Sequence, residues 1–295
     1  MADKRETILV TGATGQQGEA VMRMLLKENY PVVALTRHPD RADELRRLGV
    51  QVVKGDLTDR DSLDRALQGV RKAFLVTTPY EHGVEHETEQ GVKFVDACLA
   101  AGVNHLVYSS VASAHRNTGI PHFESKFKVE EHLKRNGVPH TIIRPVFFYE
   151  NFGASWMVNQ VRSGRVSTPV RADRPLQMIA VEDVGRIAVA AFDNPQIYLG
   201  KDIDIAGDEL RLPEAVQMLS REEDRKIVYE PMPESDSERS YRHDFAVMFK
   251  WFNDVGYNVD IVNLEKQYKI KMTRFKDWLK HAAFIRELKE ETAYH

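Results

Sequence analysis

The sequence predicts a doubly wound parallel α/β sheet followed by a smaller C-terminal α/β unit. Short β-branched runs alternate with longer amphipathic segments up to about Arg144, the runs are apolar throughout rather than every second residue, and the alternation loosens beyond that point. At 295 residues the chain can build one large α/β domain with an appendage, or two modest domains, and a substantial core is within reach.

The strand candidates are Thr7 to Thr11, Pro31 to Thr36, Val50 to Lys54, Lys72 to Thr77, Asn104 to Ser109 and His140 to Arg144. Each is too short and too uniformly apolar for a half-exposed hairpin strand, which predicts burial on both faces of a parallel sheet. Between them, Gly15 to Asn29 places Val21, Met24, Leu25 and Leu26 on one side, Asp40 to Leu48 is short and charged, and Asp59 to Leu67 sets Leu63 and Leu67 four apart. His86 to Ala101 carries an apolar stripe, and His122 to Arg135 ends before Gly137, a C-cap candidate. Six strands with intervening helices close the first domain near residue 152.

From 153 to 285 the pattern predicts a cap interleaved with the first domain, leaning on the carboxyl edge of its sheet. Its elements are a helix from Ala154 to Ser163, a strand from Val166 to Pro169 and a helix from Val181 to Phe192 opened by Glu182 and Asp183. A strand from Asp202 to Ile205, a helix from Leu212 to Ser220 and a strand from Lys226 to Glu230 follow, then helical segments from Ser235 to Asp254 and Met272 to Ala283. Later segments can rejoin the first sheet, and residues 286–295 read as a frayed, charged tail. There are no repeats and no low-complexity linker.

A composition of 42% hydrophobic and 29% charged residues is that of a globular chain, and a net charge of -3 supplies no cationic field for a nucleic-acid backbone. Direct nucleic-acid binding is not expected. The single cysteine, Cys98, excludes an intrachain disulfide and a cysteine-rich metal site, and its place in the Val92-x-x-Val95-x-x-Cys98 stripe predicts a packed core thiol. The eleven histidines are scattered without metal-ligand spacing, so no metal is implied. The first residues lack the apolar stretch of a signal peptide, and no run approaches a membrane span, so a cytoplasmic protein is expected.

The strongest local signal is Gly12-Ala13-Thr14-Gly15-Gln16-Gln17-Gly18. Glycines at a strand-to-helix turn permit close backbone approach to a pyrophosphate at the helix N-terminus, and here the triplet ends a predicted strand and opens a predicted helix. Gly12, Thr14, Gly15, Gln16, Gln17 and Gly18 are therefore candidate dinucleotide-phosphate contacts, and the first domain reads as Rossmann-type. Where NAD-specific folds place a carboxylate after the second strand, this chain has Thr36-Arg37-His38-Pro39. A guanidinium there favours a 2′-phosphate, so NADP(H) is expected over NAD(H), with Arg37 as the reader. Asp56 and Leu57, after the third strand, are candidates for the adenine side; Asp56 reads equally as a turn residue. Thr77, Thr78 and Pro79, after the fourth, are candidates for the ribose and nicotinamide side, and Tyr80 sits at that edge as a substrate candidate.

The series TILVTGATGQQG, ALTRHPD, KGDLTD, LVTTPYE, HLVYSS, HFESKFKVEEHL and IRPVFFYENF resembles the NmrA-like group of atypical short-chain dehydrogenases/reductases over roughly residues 5 to 285. The resemblance implies a Rossmann domain and a small C-terminal domain with NADP(H) or NAD(H) bound between them. Ordinary members of the wider superfamily use Tyr-x-x-x-Lys, the tyrosine giving a proton and the lysine holding the ribose. His122-Phe123-Glu124-Ser125-Lys126 stands at the matching place, so Lys126 is retained and His122 replaces the tyrosine. His122 reads either as a surrogate acid or as a surface or helix-start residue, with only Lys126 touching the cofactor. Val111 falls near the superfamily's serine position, leaving Ser109 or Ser110 either to bond a ligand or only to end the strand.

The resemblance further places the run from Pro145 to Asn151 on the nicotinamide pocket, with Pro145 and Phe148 toward the cofactor and Phe147, Tyr149 and Asn151 toward the substrate; core packing is the other reading of these aromatics. Such proteins divide into reductases and cofactor sensors. The expectation is an NADPH-dependent reductase of a small electron-poor acceptor such as a quinone, enone or azo compound; the alternative is a non-catalytic NADP(H) sensor acting on a protein partner. Monomer and homodimer both remain open.

Overall fold

The structure, a computed structural model, describes residues 5–285. The expected tail at 286–295 lies outside the described residues. The chain divides into two units: residues through Asn117 with Pro121–Arg144 and Val184–Asp204 form the first, and Thr118–Ile120, Pro145–Asp183 and the chain from Ile205 form the second. The expected boundary near 152 thus falls at Arg144, and residues 184–204 return to the first unit.

In the first unit, β1 (Ile8–Val10), β2 (Val32–Thr36), β3 (Gln51–Lys54), β4 (Lys72–Val76), β5 (His105–Ser109) and β6 (His140–Pro145) are the six predicted strands, each within two residues of its expected limits. They form one sheet in the order β6-β5-β4-β1-β2-β3, extended beyond β6 by a seventh strand, the later Lys201–Ile205. The pairings among these six strands are all parallel. The strand order reverses between β1 and β4, the point where open α/β sheets bind ligands beyond the carboxyl ends of their strands.

The helices of this unit are α1 (Gln16–Lys27), α2 (Asp43–Arg47), α3 (Arg60–Ala66), α4 (Val84–Ala101) and α5 (Pro121–Arg135). α1 buries Gly18, Val21, Met22 and Leu25, so Val21 and Leu25 of the expected stripe are buried, Met22 joins them, and Met24 and Leu26 are half-buried. Cys98 is fully buried beside Phe94, Val95 and Leu106, and burial pushes its thiol well above the ordinary range, in keeping with a core thiol. β3 departs from expectation: both its ends are exposed and its valines half-buried, because it is the edge strand and has a neighbour on one side only.

In the second unit β7 (Phe147–Phe148) pairs in parallel with β9 (Pro175–Ile179), which pairs antiparallel with β11 (Asp208–Arg211), while β8 (Arg165–Val166) pairs with β12 (Val228–Tyr229). The remaining elements of the chain are α6 (Ser155–Arg162), α7 (Val181–Asp193), α8 (Pro195–Tyr198), β10 (Lys201–Ile205), α9 (Leu212–Glu222), α10 (Ser237–Ser240), α11 (His243–Asp254), α12 (Ile261–Tyr268) and α13 (Phe275–Leu279), of which α8 and most of α7 and β10 lie in the first unit. β10 is the seventh strand of the large sheet.

An ionic cluster inside the first unit fixes β10 there. Buried Arg144 donates to both oxygens of buried Glu130 and, 2.9 and 3.4 Å away, to Asp202 and Asp204 of β10; Lys134 also pairs with Asp202. Desolvation works against the Arg144 charge, but these carboxylates hold its pKa above the ordinary value. Sequence patterning passed over β9 because it begins with a proline and buries Gln177. That amide is fully used, donating to Glu209 and Val259 O and accepting from Val259 N–H, so a polar residue sits in the strand without cost.

Candidate dinucleotide site

The glycine loop follows β1 directly. Thr11 ties its start to β4, its Oγ1 accepting from Val76 N–H at 2.9 Å. Gly12 then takes φ +62°, a conformation that favours glycine, and a Cβ there would lie 2.7 Å from Val76 Cγ1. At Gly18 a Cβ would lie 2.2 Å from Gly12 O, so the missing side chain is what lets α1 pack against the loop. Gly15 is different: a Cβ would meet nothing nearer than Gly12 O at 3.5 Å. Gly12, Thr14, Gly15 and Gln16 are exposed, and no side chain caps α1, so donors of its first turn face open space. Crowded glycines on either side of an open one form a backbone cradle that fits a diphosphate. Gln17 is partly held back, its Oε1 accepting from Ser109 Oγ at 2.6 Å. Ser109 therefore bonds α1 as well as ending β5, and Ser110 is buried with no partner for its Oγ among the described residues.

Arg37 stands exposed just beyond β2, where the sequence places it, but its guanidinium pairs with Glu81 at 2.8 Å. Asp56 forms a turn in which Oδ1 accepts from both the N–H and the hydroxyl of Thr58 at 2.8 Å. Burial pushes its carboxyl up, but the Thr58 hydrogen bonds with Arg37 and His86 hold it below the ordinary range. The turn reading of Asp56 is thus realised, using one of its oxygens. Leu57 packs against the core cluster beneath it.

Beyond β4, Thr77 is buried, Thr78 is exposed and accepts from Tyr80 N–H, Pro79 is buried and Tyr80 is 57% exposed. Lys126, on α5, reaches this edge. Its ammonium donates to Thr77 O at 3.0 Å and to Glu87 Oε1 at 2.7 Å, with both side chains almost out of solvent. Glu87 was not singled out from the sequence. Its signal was nonetheless present, a carboxylate on the same helical stripe as Gly91, Phe94, Val95 and Cys98. His122, one turn before Lys126, is 7% exposed and packs edge-on against Phe123, so the surface reading of this residue is corrected.

The second unit holds the other candidates. Pro145 closes β6; Phe147 and Phe148 are half-buried on β7, and Asn151 is half-buried in the turn that follows. Tyr149 is fully buried, with its ring against Phe275 and Trp278 and its hydroxyl donating to Thr273 O at 3.1 Å. Every part of that side chain is engaged within its own unit, which suits a core residue rather than a substrate contact. The adjacent Glu150 accepts from Val181 N–H at 3.1 Å and from the Trp278 indole at 3.0 Å. Burial pushes its carboxyl up to about 7, against those hydrogen bonds.

Among the described residues no group of three or more histidine, cysteine, aspartate or glutamate side chains is placed to hold a metal, and no helix is long and apolar enough to cross a membrane. A reductase of (4-alkanoyl-5-oxo-2,5-dihydrofuran-3-yl)methyl phosphate from Streptomyces griseus is 35% identical over 76% of this chain and 77% of its own. The NADPH complex of the Escherichia coli quinone oxidoreductase QOR2 superposes with a TM-score of 0.80 at 24% identity, covering 93% of this chain and 99% of that one. The negative transcriptional regulator NmrA superposes with a TM-score of 0.79 at 22% identity over 98% of both chains. The NmrA-like family profile matches residues 4–284, nearly the whole chain, and the protein belongs to the NmrA-like family.

Proposed function

We propose that the protein is an NADPH-dependent reductase of small, electron-poor acceptors such as quinones, enones or azo compounds. The observation that carries this reading is the open cradle at Gly15, flanked by the crowded Gly12 and Gly18, with a buried lysine at the end of the adjoining strand. Relatives named as reductases, one of a butenolide phosphate and one of quinones, support the reaction class.

The bound dinucleotide would supply the hydride. The residues of this chain bind and orient: the first-turn N–H groups of α1 receive the diphosphate, Arg37 reads the 2′-phosphate, and Lys126 donates to the nicotinamide ribose. The preference for NADP(H) rests on Arg37 being a cation at the strand end, and Glu81 is its competitor for the phosphate. Phe147, Phe148 and Asn151, being partly accessible, are retained as contacts on the family pattern, and Tyr149 is not. Without a tyrosine acid, the reaction suits acceptors whose reduced anion is delocalised and needs little protonation from the protein.

The sensor reading has one observation in its favour: the Lys126 charge is already balanced by Glu87, so the site carries no surplus cation to acidify a proton donor. A panel of quinones, enones and azo compounds, with NADPH consumption followed by its absorbance, separates the two. Acceptor-dependent oxidation supports the reductase; saturable NADPH binding without turnover on any acceptor supports the sensor. With a quinone, His122→Ala should lower kcat/KM by less than the roughly 10²–10⁴-fold of a lost general acid.

A further inference from the structure

We propose that Glu87 is a positioning residue of the dinucleotide site, fixing the Lys126 ammonium so that one of its three N–H groups is presented to the nicotinamide ribose. This rests on the dinucleotide reading above and adds to it a residue that family resemblance did not supply.

Glu87 is fully buried on α4, and each oxygen has a defined donor. Oε1 accepts from Lys126 Nζ at 2.7 Å and from Thr77 Oγ1 at 3.1 Å, and Oε2 accepts from Ser125 Oγ at 2.5 Å. Ser125 is the residue before Lys126, so the carboxylate grips α5 at two consecutive positions while Thr77 links it to the end of β4. An ammonium has three donors. Thr77 O and Glu87 take two, leaving one.

The close approach of the two helices has its own sequence device. Gly91 lies one turn after Glu87, and a Cβ there would stand 2.4 Å from Val129 Cγ2, one turn after Lys126. Only a glycine lets α4 and α5 come near enough for Glu87 to reach Lys126. A long, flexible cation buried without this carboxylate would have neither a fixed position nor a compensating charge. The Glu87 carboxylate supplies both.

The test compares NADPH with adenosine 2′,5′-bisphosphate, which keeps the 2′-phosphate but lacks the nicotinamide ribose. Glu87→Gln should weaken NADPH about tenfold while changing the bisphosphate by less than about twofold, as for the loss of one charged hydrogen bond at the ribose. Lys126→Ala should give the same pattern, and the double variant should be no worse than Lys126→Ala alone, since Glu87 acts through the lysine. Ser125→Ala, which trims one donor and keeps the ion pair, should shift NADPH in the same direction by less, and it decides the matter where Glu87→Gln does not fold. Equal losses for both ligands, additive losses in the double variant, or unchanged NADPH affinity would overturn the proposal. Wild-type protein that binds neither ligand would refute the dinucleotide reading itself, a different result from a variant that binds both ligands normally.

Discussion

The loop from Gly12 to Gly18 and the run from Pro145 to Asn151 both follow strands of the same sheet, and sequence reasoning placed ligands on both. Their polar groups are disposed in opposite ways. The loop is exposed, α1 has no side-chain cap, and the space above Gly15 is open. In the later run, Tyr149 and Glu150 spend their polar atoms on Thr273, Val181 and Trp278. Unspent donors at a crowded turn suit the anion proposed there, whereas the satisfied groups of Tyr149 and Glu150 amid aromatic rings suit a scaffold. Residue type alone could not separate them.

Glycine substitutions test that contrast most strongly. Gly18→Val should prevent stable folding, because its side chain would overlap Gly12. Gly15→Val should fold, with circular dichroism unchanged, yet lose NADPH affinity by about a hundredfold or more, since removing several charge-assisted bonds at about 1.5–3 kcal/mol each exceeds that factor. A folded Gly15→Val protein with wild-type affinity would place the phosphates elsewhere.

Arg37 gives the next largest effect. Its exposure and its partner Glu81 reduce what a charged hydrogen bond can contribute, so Arg37→Ala should weaken NADPH by roughly tenfold and leave NADH unaltered. Glu81→Gln should act oppositely and tighten NADPH by about two- to fivefold, the worth of an exposed ion pair. Titration of both cofactors against wild type and the two variants checks the pair; equal wild-type affinities for NADPH and NADH would remove the role of Arg37.

A smaller effect separates the two regions by pH. Glu150 is raised to about 7, so between the ordinary glutamate range and pH 7 the folded protein holds a proton that the unfolded chain releases. The stability it contributes is present at low pH and lost as pH rises through 7, by at most about 1.4 kcal/mol per pH unit. His105, in the first unit, is lowered by burial, with Lys72 and His140 adding, to about 4, so its contribution is present above the ordinary histidine range and lost as pH falls toward 4. The two slopes oppose each other in the wild type. Glu150→Gln should therefore make Tm rise more steeply between pH 5 and 7, by about 2–4 °C over that window. A parallel profile for wild type and variant would show that Glu150 is not held protonated.

Most of the first unit was legible because its information is local. Parallel strands buried on both faces write continuous apolar runs, and each glycine of the loop has a separate steric task. The unread parts depend on partners distant in the chain. β9 hides behind Pro175 and Gln177, whose amide is satisfied more than 30 residues away at Glu209 and 82 residues away at Val259. β10 was read as a strand from Asp202 to Ile205 that could rejoin the first sheet, but what holds it there, the pairing of Arg144 with Asp202 and Asp204, is written nearly 60 residues earlier in the chain. At the candidate site, Gly12, Gly15, Gly18 and Arg37 were singled out from spacing and Lys126 from the family resemblance, while Glu87 was passed over because a glutamate in the first turn of a helix is ordinarily a solvated, dipole-favoured residue. Only its register with Phe94 and Cys98 distinguishes it.

Hydride transfer itself is tested most directly by a single turnover of protein-bound NADPH with a benzoquinone, comparing the cofactor carrying hydrogen with the one dideuterated at nicotinamide C4. The open cradle and the fixed lysine predict oxidation far faster than without protein, abolished in Gly15→Val, and slower with the deuterated cofactor. Tightly bound NADPH that no quinone oxidises faster than in free solution would contradict the reductase and leave a dinucleotide-binding protein without turnover.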